Sequence, residues 1–121
     1  MSIFRVSEAG DILEYLAKNS SEYVLRERVF HYVSSARTLR YVSLALYKTK
    51  GEERYRLLST AMSNLEVFLI TVGNHQGAKD KIIENAEILK KIGEQLHGKR
   101  ICNVSDEIAE NVFNLSTELK Y

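Results

Sequence analysis

Arg26 and His31 stand five positions apart in a stretch that reads as helix. Such a pair can cleave RNA without a metal: an imidazole moves a proton while a guanidinium stabilises the charge developing on phosphate. A second group follows it. Arg37, Arg40, Lys48, Lys50, Arg54 and Arg56 crowd one stretch, with Tyr41 among them. Cations of this kind meet phosphates, and a tyrosine ring offers a base or sugar a surface to stack on.

Other reactive side chains form no comparable set. His97 and Cys102 are two soft ligands across a glycine, whereas a structural zinc site needs four. His75 stands alone in a loop, and Cys102, between Ile101 and Asn103, suits packing better than nucleophilic attack. The glycines are scattered, so there is no phosphate-cradling loop. No metal and no cofactor is expected.

The elements that must carry these residues are helices. The chain has no proline and six glycines, too few for the frequent turns of a strand-rich fold. Ser7 is placed as the N-cap of a first helix with the stripe Ala9, Ile12, Leu13, Leu16, Ala17. Asn19-Ser20-Ser21 separates it from a second helix, Glu22 to Val33. Ser34-Ser35 reads as another break and cap, before a third helix from Ala36 to Thr49 that ends at Lys50-Gly51. A fourth and most apolar helix runs from Glu52 to Val72 and forms the centre of the core. After the loop Gly73 to Gly77, a fifth helix spans Ala78 to His97. An extended link, Lys99 to Val104, leads to a sixth helix capped by Ser105. The expectation is an all-α, compact single-domain bundle of five to six helices over residues 1–121. On the third helix Leu39, Val42 and Leu46 face one way and Arg37, Arg40 and Lys48 the other, with Tyr41 and Leu44 between them.

Composition narrows the classes further. With 45% hydrophobic and 27% charged residues the chain is not of the disordered type. Net charge is +1 overall, but residues 26–56 hold eight basic and three acidic side chains. That local +5 suits phosphates or an acidic partner. Of seven tyrosines, six precede residue 56, in the same region as the charge, and tyrosine is enriched at interfaces. One cysteine permits no internal disulfide and suits a reducing, cytoplasmic setting. Met1 to Val6 lacks the apolar region of a secretion leader. The longest apolar run, Val67 to Ile70, is too short to span a bilayer.

The segment Glu22 to Ser35, continued by Ala36 to Tyr47, resembles the small-subunit family of archaeal type I-A CRISPR interference (Cascade) complexes. In that family an aromatic-apolar lead, an arginine-bearing amphipathic helix and a serine break precede another helix. Ser35 stands where members often carry proline. The resemblance implies a non-enzymatic subunit of an RNA-guided antiviral ribonucleoprotein. Its partners would be DNA or guide RNA, larger effector subunits and copies of itself set side by side. Arg37, Arg40, Tyr41, Lys48, Lys50, Arg54 and Arg56 are then the expected nucleic-acid contacts, placed by the charge map. Charge reversal at Arg37 and Arg40 is expected to weaken binding with the fold intact. Two other readings stay open. The Arg26–His31 spacing resembles the catalytic pair of HEPN-type ribonucleases, helical bundles that dimerise, although Glu27 follows the arginine where that family favours Asn, Asp or His. A helical protein–protein adaptor is the third.

Overall fold

The computed structural model describes residues 4–121, so the part of the leader reading that falls on Met1 to Ile3 lies outside them. Among the described residues five α-helices and two short 3-10 turns make an all-α bundle: α1 Ala9–Asn19, α2 Glu22–Lys50, α3 Glu53–Gly73, α4 Ala78–Leu96 and α5 Asp106–Ser116. Among the described residues no helix is long and apolar enough to cross a membrane.

The largest departure from expectation is α2. Ser34-Ser35 does not break the chain, and the second and third expected helices are one helix of 29 residues, about 43 Å long at 1.5 Å per residue. The reason is phase. Leu25, Val29, Tyr32, Ala36, Leu39 and Ser43 are all buried, and their spacing of three and four runs through the serines without a slip. Burial on one unbroken stripe outweighs the mild preference of serine for caps. The true ends carry real caps. The Ser21 hydroxyl accepts from the Val24 amide at 3.3 Å, and Gly51 closes the last turn in the left-handed region at φ 69°, its N–H donating to the Tyr47 carbonyl. Ser105 caps α5 in the same manner, accepting from the Ile108 amide at 3.2 Å.

Smaller corrections follow at other ends. Ser7 is not a cap. It sits inside the 3-10 turn Arg5–Glu8, its N–H bonded to the Phe4 carbonyl, and α1 begins after it. The link after α4 includes the 3-10 turn Ile101–Asn103, with Ile101 and Val104 buried. Beyond the end of α5, Leu119 is buried as well.

α3 is the central element. It lies antiparallel along α2 and packs on α5 with its other side, while α4 holds α1 and touches α5. Leu58, Met62, Leu65, Phe68 and Leu69 of α3 are at most 1% exposed. The first turn is tied to α2 by the Tyr32 hydroxyl, which donates to Glu8 Oε1 at 3.1 Å. Burial, with Glu8 beside it, pushes the Tyr32 phenol up to about 12 against the opposing influence of Arg28. α1 is also fastened to α4 by the Lys90–Glu14 ion pair.

Candidate nucleic-acid interface

At 100° per residue, Arg37, Tyr41 and Lys48 fall within about 40° of one another on α2. An unbroken helix therefore sets a cation, a ring and a second cation in line on one side. Tyr41 is 57% exposed, and Lys48 is exposed too. Arg40 lies nearer the contact with α3, with its guanidinium 4.4 Å from the centre of the Tyr41 ring.

The antiparallel neighbour adds a residue that the charge map left out. Glu66 of α3 is buried at the α2–α3 seam, with its side chain 9% exposed. One of its oxygens accepts from Arg37 Nε at 2.7 Å and the other from Arg40 Nε at 2.8 Å. An unpaired carboxylate in that position would cost several kcal/mol; two charge-assisted bonds offset this. Burial alone would raise the Glu66 carboxyl, but the bonds from Arg37 and Arg40 and their charge outweigh it and hold the group below its ordinary value. The signal for Glu66 was present: it is a lone carboxylate on the inward side of the most apolar helix, between Met62, Leu65 and Leu69. Such a group needs a cation partner, but sequence does not say which cation.

A carboxyl held low in the folded state contributes stability above its unfolded value that is lost as pH falls through the folded one. Stability of the wild-type chain should therefore decline as pH drops below about 4.5, the ordinary value of the group. Glu66→Gln removes this share of the decline, so urea titrations from pH 6 to pH 3 should show a flatter profile for the variant. Parallel profiles would mean that the triad adds nothing to folding.

The other expected contacts are not brought into this cluster. Arg54 donates from Nη1 to the Val104 carbonyl at 3.2 Å, pairs with Glu52 at 3.1 Å and lies over the Tyr55 ring. It braces the link before α5. Arg56 is paired with Glu53 one turn back. Lys50 is exposed, but at two residues beyond Lys48 it points about 160° away around the helix. The six cations, with Glu52, Glu53 and Glu66 against them, carry a net +3.

Arg26 and His31 diverge by about 140° on the continuous helix. Arg26 donates to Glu22 at 3.1 Å and to the His75 carbonyl at 2.9 Å, fastening the loop after α3 to α2. The His31 ring stands edge-on to Tyr32 with centroids 5.5 Å apart. Among the described residues no group of three or more His, Cys, Asp or Glu side chains is placed to hold a metal ion.

No protein-family model, curated protein or solved structure matches the chain.

Proposed function

We propose that the chain is a non-catalytic binding subunit that holds nucleic-acid backbone along the C-terminal half of α2. It would do so within an RNA-guided CRISPR effector of the type that its Glu22–Tyr47 segment resembles. The observation that carries the reading is the Arg37–Glu66–Arg40–Tyr41 cluster with Lys48 in line. Two guanidiniums and an aromatic face are fixed in one place on an accessible helix side. Each guanidinium meets Glu66 through Nε, which leaves its terminal nitrogens for another acceptor such as a phosphate oxygen.

The geometry changes which variants test this. Reversing Arg37 and Arg40 would also leave Glu66 buried against new carboxylates, so lost binding would be confounded with lost folding. Lys48→Glu and Tyr41→Ala leave the triad intact. Together they should weaken binding of a fluorescent single-stranded oligonucleotide by roughly 30-fold, while loss of the Arg40–Tyr41 contact lowers the melting temperature by no more than roughly 5 °C. Absence of wild-type binding at 50 mM salt would refute the interface. For the assembly, a tagged pull-down from the native host should recover larger effector subunits with guide RNA; a lone chain or a single small partner would remove the CRISPR setting.

An adaptor without nucleic acid is favoured by one separate observation. Tyr23, Phe30 and Val67 on the α2–α3 hairpin are exposed, and partner binding through them would be insensitive to salt.

A further inference from the structure

We propose that Glu66 is a positioning residue for this face: its buried carboxylate fixes the guanidinium planes of Arg37 and Arg40 and, through Arg40, the ring of Tyr41. The proposal rests on the nucleic-acid reading of the face and goes past it, because it gives a negative charge a favourable part in binding an anion.

The position is costly for any other purpose. Met62, Leu65 and Leu69 surround Glu66 in the sequence of α3 and are fully buried or nearly so. An apolar side chain there would avoid the desolvation of a carboxylate, and replacing buried ion pairs by apolar groups is often neutral or stabilising. What the carboxylate supplies is geometry. Its two oxygens are divided between two arginines from successive turns of α2, at 2.7 and 2.8 Å. Both bonds are made by Nε, so the outer edge of each guanidinium keeps its Nη donors for another acceptor. Arg37 keeps 49% and Arg40 26% of its side chain exposed, so a ligand can reach both. The guanidinium carbon of Arg40 sits over Tyr41, 4.4 Å from the ring centre. Long arginine side chains lose rotamer freedom when they bind phosphate. Here that loss has been met on folding, and ring and cations are presented as one rigid unit.

Positioning and simple electrostatics predict opposite signs for one substitution. Glu66→Gln keeps the shape and removes a negative charge next to the proposed phosphate path. Its amide has one oxygen, so it can accept from one arginine and turns its NH2 group on the other. If Glu66 is a bystander, the variant binds an anion more tightly. If it positions, the variant binds less tightly.

The test is fluorescence anisotropy of the full chain with a single-stranded oligonucleotide across a salt series. The expected result is binding five- to ten-fold weaker, roughly, in Glu66→Gln, with the slope of log Kd against log salt reduced by about one as a phosphate contact is lost. A partly unfolded sample changes the active fraction but not that slope. Equal or tighter binding by the variant overturns the proposal and leaves the interface standing. A wild-type chain that does not bind overturns both. Should Glu66→Gln fail to fold at the assay temperature, Arg37→Lys and Arg40→Lys decide. Lysine keeps the charge but lacks the planar fork that spans Glu66 and a phosphate, so each should bind several-fold weaker, roughly, and unchanged affinity would refute positioning.

Discussion

Replacing Gly93 by alanine is expected to destabilise the bundle by about 3 kcal/mol and to lower its thermal midpoint by roughly 10 °C or more. A β-carbon built on Gly93 would lie 2.2 Å from the carbonyl oxygen of Ser7. The opposing surface has the same demand: one on Gly10 of α1 would lie 2.6 Å from the backbone nitrogen of Lys90 on α4. Each glycine thus admits the backbone of the other element where α1 and its leading 3-10 turn cross α4. Heavy atoms in contact need about 3.5 Å, and the obstructing atoms are backbone, which cannot swing aside. The two segments must move apart, which loosens the packing of Ala9, Leu13, Leu89 and Ile92, all buried. Alanine's better helix propensity, about 1 kcal/mol, offsets only part of this. Because one separation accommodates both methyl groups, Gly10→Ala and Gly93→Ala combined should cost less than the sum of the two. Thermal unfolding followed by circular dichroism reads all three variants, and an unchanged midpoint for Gly93→Ala would disprove the close crossing.

Asn85→Leu is expected to release the C-terminal segment and to cost roughly 2 kcal/mol of global stability. Asn85 is completely buried on α4. Its carboxamide pairs with one backbone unit in both directions: Nδ2 donates to the Lys120 carbonyl at 2.8 Å, and the Lys120 amide donates to Oδ1 at 2.7 Å. Nδ2 also reaches the Lys81 carbonyl at 2.8 Å. The clamp holds residues 119–121 against the bundle, where Leu119 is buried and the Tyr121 ring stands edge-on to Phe68 with centroids 5.8 Å apart. Leucine fills nearly the same volume without donor or acceptor, so the lost hydrogen bonds, not a cavity, account for the cost. The local effect should exceed the global one. Amide exchange at Lys120 should approach the unprotected rate in the variant and stay slow in the wild type. Retained protection at Lys120 would show that apolar contacts alone hold the terminus.

Much of the fold was legible because it rests on spacing. The stripes of α1, α3, α4 and α5 repeat every three or four residues, and burial on one side of a helix is a consequence of that period. Ser21, Gly51 and Ser105 marked true helix ends because each satisfies or relieves backbone groups that a terminus leaves open. Ser34-Ser35 misled for the complementary reason: the residue types suggest a cap, but a cap forms only where the apolar stripe also stops, and here Tyr32, Ala36 and Leu39 carry it through.

The basic residues show where a linear reading ends. The cations of residues 26–56, and their likeness in charge, belong to the order of the chain alone. Their separation into different jobs depends on what the folded neighbours bring to them. Arg54 meets the Val104 carbonyl fifty positions away, while Arg37 and Arg40 meet Glu66 across the hairpin, at 29 and 26 positions. A charge acts through space, over distances that folding sets and sequence separation does not. The helices and their inward sides follow from local periodicity. Which arginines share a buried carboxylate is settled by the antiparallel packing of α3 on α2, and which one braces the link before α5 by the approach of Val104 to Arg54.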